Sequence, residues 1–237
     1  MVFRNRAHAA HLLAEQLAEY RGEFPLVLAI PGEAVPMGKI VAEALGGELD
    51  VILLRRLRAP GCPKLAIGIV DETGDMSLDE ELRGLGIGEP YLGQEKDAQV
   101  AILRKRRALY TPGRPLIDPA GRLVIVVGTS LNASSSMIAA LHAVRAKHPA
   151  KLIAAAAIAA PRTLMQIAAD EVVCLEAPAF FYGVEEFFRD FSEASEAEVV
   201  AILRAKPPSA ATAAQPIAIP SWAPGLPSPH PRIAVSV

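Results

Sequence analysis

At 237 residues the chain is long enough for one sizeable α/β domain with a small appendage. Its 24 basic and 26 acidic residues leave a net charge of −2, which gives no reason to expect nucleic acid as a general partner. No apolar run reaches the roughly 18 residues of a membrane span, and Met1–Arg6 lacks the apolar core of a signal peptide, so a cytoplasmic protein with no membrane partner is expected.

Phe3 to Tyr20 reads as an amphipathic helix, with Ala9, Leu13, Leu17 and Tyr20 on one face and Arg4, Glu15 and Glu19 off it. Leu26–Ile30 is a buried strand that breaks at Pro31-Gly32. A helix follows from Pro36 to Leu45, stopped by Gly46-Gly47, and Val51–Leu54 is the next strand. Strand, turn, helix and strand joined by short links predict parallel pairing. Arg55, Arg56 and Arg58 then form a basic cluster, either a surface for a polyanion or a solvated basic face. Asp71 to Gly88 is loop-rich with scattered acids. Glu95 to Arg107 is a charged helix whose closing Arg104-Lys105-Arg106-Arg107 suits the negative end of a helix.

The most informative stretch is Leu123 to Arg145. Leu123-Val124-Ile125-Val126-Val127 has the unbroken β-branched character of a parallel strand buried on both faces. A small-residue turn follows over 128–136, and then a helix with Met137, Leu141 and Val144 on one side. Such a unit points backbone N–H groups and the positive end of a helix dipole at one spot, which favours an anion, most often a phosphate. Strand–turn–helix units also occur in α/β proteins that bind nothing there.

Lys151–Ala160 and Glu171–Leu175 read as further core strands, with Pro161 opening a short helix between them. Cys174 falls in a strand and Cys62 in a loop; far apart and in no ligand spacing, both are expected to be reduced thiols. The five histidines form no metal-ligand set, so no metal site is expected from them. Phe180-Phe181-Tyr182 and Phe187-Phe188-Arg189-Asp190-Phe191 place aromatics either under a loop or beside a pocket. Ser195-Glu196-Ala197-Glu198 is a capping box opening a helix that runs to Arg204. Eight of the 20 prolines lie in 207–237, so that stretch reads as a disordered tail following one domain over 1–206.

Read together, these motifs resemble the type I phosphoribosyltransferases, in particular bacterial stand-alone phosphoribosyltransferase-domain proteins, over about Val2 to Leu203. Residues 55–68, Arg-Arg-Leu-Arg-Ala-Pro-Gly-Cys-Pro-Lys-Leu-Ala-Ile-Gly, are the best-matched piece. The resemblance implies an α/β parallel-sheet, Rossmann-like core with a small hood over the active site, and transfer of a phosphoribosyl group from phosphoribosyl pyrophosphate. In that family the central strand runs into Asp-Asp-Gly-Ile-Ala-Thr-Gly. The acids address the ribose hydroxyls and the loop amides cradle the 5′-phosphate. This carries the phosphate-binding role onto Thr129, Ser130, Asn132, Ala133, Ser134, Ser135 and Ser136. The acid pair, however, falls on Gly128 and Thr129, and the loop glycines on Ser130 and Ser134. The family's pyrophosphate loop, Pro-Arg-Gly-Gly-Val-Pro, falls on Pro31 to Pro36. Gly32 stands at the arginine, Glu33 follows it, and Ala34 completes the loop.

Both edits act against the substrate. A guanidinium donates bidentately to phosphate oxygens, whereas a carboxylate repels them. A glycine offers the ribose nothing, and a threonine hydroxyl is worth about 1 kcal/mol of net hydrogen bonding. The resulting expectation is a family member with weak or lost transferase activity that keeps phosphate or nucleotide binding, with Mg²⁺ required only if catalysis survives. The alternatives are an active transferase whose missing acids are replaced by Asp71, Glu72 or Asp75, and a non-catalytic interaction module using the tail. The expected partner is a phosphate-bearing small molecule, phosphoribosyl pyrophosphate or a nucleotide, and a homodimer is the assembly allowed for. No catalytic residue and no acceptor base is assigned.

Overall fold

The computed structural model describes residues 2–79, 86–131, 136–164, 167–179, 182–192, 194–205 and 232–235. The chain divides into two compact units, one of Met1–Val51 with Ile117–Val237 and a smaller one of Ile52–Leu116. The first part of the larger unit holds α1 (Arg6–Gln16), β1 (Leu26–Ala29), α2 (Ala34–Leu45) and β2 (Glu48–Val51). The smaller unit holds β3 (Leu54–Ala59), β4 (Cys62–Asp71), β5 (Met76–Leu78) and α3 (Glu89–Tyr110). The larger unit resumes with β6 (Leu123–Leu131), α4 (Ser136–Arg145), β7 (Lys151–Ala159) and α5 (Pro161–Leu164). It ends with β8 (Glu171–Glu176), α6 (Glu196–Arg204) and β9 (Arg232–Val235).

In the larger unit the strands lie in the order β2-β1-β6-β7-β8-β9. Every described pairing in this sheet is parallel. The apolar runs at 26–29, 123–127, 152–159 and 172–175 make this possible, because a parallel strand covered on both faces needs no polar side. Ile125, Val127, Ile153, Ala155, Val173 and Leu175 share one cluster with Ala9, Leu13 and Leu17 of the α1 region and with Met37 and Val41 of α2. The short alanines of β7, all buried, let helices approach the sheet closely. No helix among the described residues is long and apolar enough to cross a membrane.

Several sequence boundaries shift. The first helix is shorter than Phe3–Tyr20 because Asn5 caps it, its side chain accepting from the His8 N–H at 2.9 Å, and Ala18–Tyr20 turns separately as a 3-10 helix. The second strand is Glu48–Val51, not Val51–Leu54; the Gly46 turn delivers the chain directly to the sheet, and Leu54 already belongs to β3. Cys62 opens β4 on an exposed strand instead of lying in a loop, since Pro60-Gly61 makes a tight hairpin. Within the stretch read as tail, Arg232–Val235 pairs with β8; residues 206–231 lie outside the described residues. Ser195 caps α6 as expected, accepting from Glu198 N–H at 3.1 Å.

Three groups hold the N-terminal ends of β7 and β8 to the helical layer. The Tyr20 hydroxyl donates to Glu171 Oε2 at 2.5 Å, while Lys151 Nζ donates to that same oxygen at 2.9 Å and to the Tyr20 oxygen at 2.5 Å. Burial, then the bond to Glu171, pushes the Tyr20 hydroxyl from its ordinary 10.0 up to about 12. Burial pulls the Lys151 ammonium down, but its bonds to Tyr20 and Glu171 outweigh that, and the net shift is upward. Burial, then Glu176, pushes the Cys174 thiol up to about 11 from 9.0, which keeps it protonated near neutral pH. Tyr20, Lys151 and Cys174 hold their protons more tightly folded than unfolded, so their contribution is complete below the unfolded values and is lost as pH rises through the folded ones. The melting temperature is therefore expected to fall steadily from about pH 9 toward pH 12. Tyr20→Phe should flatten the part of that slope above pH 10, as read by circular dichroism melts across a pH series; an unchanged slope in the variant would show that the alkaline loss arises elsewhere.

Candidate functional site

The sequence order of the strands reverses between β1 and β6, since β2 lies on one side of β1 while β6 to β9 run off on the other. At such a point the loops after neighbouring strands part to opposite faces and leave a crevice at the carboxyl ends. The loop after β1 is Ile30-Pro31-Gly32-Glu33, and the chain after β6 is 132–135. The two phosphate-directed motifs of the sequence therefore leave adjacent strands at the same end of the sheet.

On the β1 side, Gly32 has φ +96°, in the region that favours glycine, and a Cβ built there meets nothing within 4 Å. An arginine at this position would have room but would strain the backbone by about 1–3 kcal/mol. Glu33 is the residue preceding α2, half-buried, with no side-chain cap bond to the helix, and Ala34 begins the helix and is buried. The α2 N-terminus thus opens directly beside the crevice, where its dipole favours negative charge.

On the β6 side the structure corrects the sequence reading. The turn does not start at Gly128. Gly128, Thr129, Ser130 and Leu131 continue β6 and stay in register with β7, Gly128 beside Ala156 and Ser130 beside Ile158. The ladder to β1, by contrast, ends at Ala29 beside Val127, followed by one further bond from Ile30 N–H to the Val127 carbonyl at 3.0 Å. β6 therefore outruns β1 by four residues. Thr129 is buried and Ser130 half-buried on this projection, and Ser136 is the exposed first residue of α4. Asn132, Ala133, Ser134 and Ser135 lie outside the described residues.

Sequence reasoning missed the occupant of the space at Gly128. A Cβ on that residue would lie 2.8 Å from Met137 Sδ of α4, 3.5 Å from the Ser130 carbonyl oxygen and 3.7 Å from Ile30 Cγ1. Only the distance between a strand residue and the second residue of the following helix reveals this; both types are unremarkable in the sequence. The donor set on the projection, a glycine and two hydroxyls, does not fit a magnesium ion held by protein carboxylates, and among the described residues no group of three or more His, Cys, Asp or Glu stands together.

The other sequence candidates lie in the smaller unit and are engaged within it. Asp71 Oδ1 accepts from Thr73 N–H at 2.9 Å, Thr73 Oγ1 at 2.6 Å and Asp75 N–H at 2.9 Å, closing the turn between β4 and β5. Glu72 is clamped by Arg107 of α3 through two bonds, 2.6 and 2.7 Å, with both side chains nearly buried. Of the basic cluster, Arg55 donates to Gln99, and Arg58 donates to the Pro63 carbonyl at 3.0 Å while its N–H reaches Glu95 at 3.0 Å. Arg55 and Arg56 are exposed on β3. The aromatic segment resolves into packing. Phe188 is buried 5.2 Å from Phe3 and 5.1 Å from Phe191, ring centre to ring centre, and Phe3 bridges backbone to backbone with this segment. Tyr182 is fully exposed, and Phe180 and Phe181 lie outside the described residues.

Comparison with known proteins gives a consistent result. The family described as "Phosphoribosyl transferase domain" matches residues 2–195. The chain is 33% identical over 205 residues to Mycobacterium tuberculosis proteins of strains CDC 1551 and H37Rv, whose names carry a provisional phosphoribosyl transferase assignment. The match covers 85% of this chain but 46% of theirs, so the chain spans about half the length of these curated relatives. A crystal structure of the protein TT1426 from Thermus thermophilus is 38% identical, with a TM-score of 0.75 over 86% of this chain and 98% of that one.

Proposed function

Because the chain belongs to the phosphoribosyl transferase domain family, we propose that it binds a phosphate-bearing small molecule, phosphoribosyl pyrophosphate or a nucleotide, at the carboxyl ends of β1 and β6, and that its phosphoribosyl transfer is weak or lost. One observation carries the binding half of this reading: the loop entering α2 and the projecting end of β6 leave adjacent parallel strands at the reversal of strand order, beside the N-terminus of α2. The residues that stand there carry the other half. Transfer builds positive charge on the ribose while pyrophosphate departs, so the protein must hold the ribose hydroxyls and donate to the leaving phosphates. Gly128 contributes no group, Thr129 a neutral hydroxyl, Gly32 no guanidinium, and Glu33 the wrong charge. With about 10²-fold lost for each of two or more positioned contacts, turnover falls by about 10⁴-fold or more.

The acids proposed as substitutes are engaged in local structure, Asp71 in its turn, Glu72 with Arg107 and Asp75 as an acceptor from Thr73 Oγ1 at 3.2 Å, which speaks against an intact transferase built on them. Isothermal titration of the full chain with inorganic phosphate, and with phosphoribosyl pyrophosphate in the presence and absence of Mg²⁺, tests the proposal beside a pyrophosphate-release assay over a panel of purine and pyrimidine bases. The expected result is phosphate or nucleotide binding independent of Mg²⁺ and no pyrophosphate release. Mg²⁺-dependent binding with pyrophosphate release would overturn it in favour of an active enzyme, and no binding of any of these ligands would leave a pure interaction module.

A further inference from the structure

We infer that Met137 is a specificity-determining residue: by filling the space beside Gly128 it keeps a carboxylate off the first residue of the β6 projection. This rests on the reading above in one respect, that a ligand sits at the end of β6. The geometry is independent of it. Gly128 is fixed from both sides, by its register with Ala156 of β7 and by the Ile30 N–H bond to the preceding carbonyl at Val127. Its missing side chain points at the α4 face, where Met137 Sδ stands 2.8 Å from the position a Cβ would take. Non-bonded heavy atoms settle at about 3.5–4.0 Å, so even a methyl at 128 displaces the sulfur.

The thioether has no outlet to solvent. Met137 is 1% exposed, and Ala140, Leu141 and Val144 of the same helix are buried beside it. An aspartate at 128 would add a charged group to the same contact, against a sulfur that accepts hydrogen bonds weakly and donates none. Methionine is flexible, however, so relief lies in shortening residue 137 and leaves the path of β6 unchanged. Glycine at 128 and methionine at 137 therefore behave as one unit. A carboxylate at position 128 requires a change at residue 137 as well.

A double-mutant cycle tests this with two separate readouts. In thermal melts, Gly128→Ala and Met137→Ala should each lower the melting temperature, and the pair should lose less than the sum of the two, because the new methyl fills space that the thioether has left. Additive losses would overturn the role given to Met137. In titrations with phosphoribosyl pyrophosphate and Mg²⁺, Gly128→Asp with Met137→Ala should bind at least about 10-fold tighter than Gly128→Asp alone; equal affinities would overturn the control that Met137 exerts over position 128. If Gly128→Asp alone fails to fold while the double variant folds, the same coupling is read from yield and melt. Failure of the wild-type chain to bind inorganic phosphate overturns the reading of the crevice, and the alanine cycle distinguishes that failure from failure of the Met137 contact.

Discussion

Replacing Arg107 by alanine should cost the smaller unit about 3–5 kcal/mol, the range seen when one partner of a buried ion pair is removed and the other is left without its counter-charge. Glu72 and Arg107 are 11% and 12% exposed at their side chains and meet through both carboxylate oxygens, so water cannot take over the role of the guanidinium. Hydrogen exchange of the full chain should show the loss as faster exchange over β3–β5 and α3, with the strands of the larger unit changed little. The joint replacement Glu72→Gln with Arg107→Met should recover much of it. A loss below about 1 kcal/mol for Arg107→Ala would mean that the pair is solvated, and would return Glu72 to the set of acids free for chemistry.

Phe188→Ala should cost about 3–5 kcal/mol, the usual range for deleting a buried aromatic ring, and should leave phosphate affinity unchanged. The residue is 7% exposed and its ring touches Phe3, itself fully buried, so its truncation opens a cavity where the return segment of the chain docks on residues 3–4. Urea unfolding and phosphate titration on the same variant separate the two possible roles of this aromatic segment. Full stability with weakened ligand binding would restore the acceptor-pocket role that the sequence left open.

The parallel core was readable because burial on both faces demands uninterrupted apolar runs, and the runs at 26–30, 123–127, 152–160 and 172–175 have no other use. The caps at Ser195 and Gly46 were readable because each is a local motif. The extent of β6 was not. Gly-Thr-Ser-Leu has turn composition, and only the neighbouring β7, with eight consecutive buried residues, draws those four residues into the sheet. Tertiary pairing there outweighed local propensity. The clamp between Glu72 and Arg107 was also hidden, since 35 positions separate the partners and a basic run at a helix end has a sufficient local explanation. The edits at Gly32, Glu33, Gly128 and Thr129 were legible as letters. The contact between Gly128 and Met137 was legible only in three dimensions.

The four-residue overhang of β6 has a bearing on how any ligand contact there could be detected. Beyond Val127 the ribbon pairs with β7 on one flank and, among the described residues, with no strand on the other, so those peptide groups that do not bond β7, which every residue type carries alike, face the vacated flank. Swapping side chains along 128–131 leaves that polar hem untouched. An alanine scan would understate such recognition, whereas amide-to-ester replacement, which deletes a single N–H, would expose it.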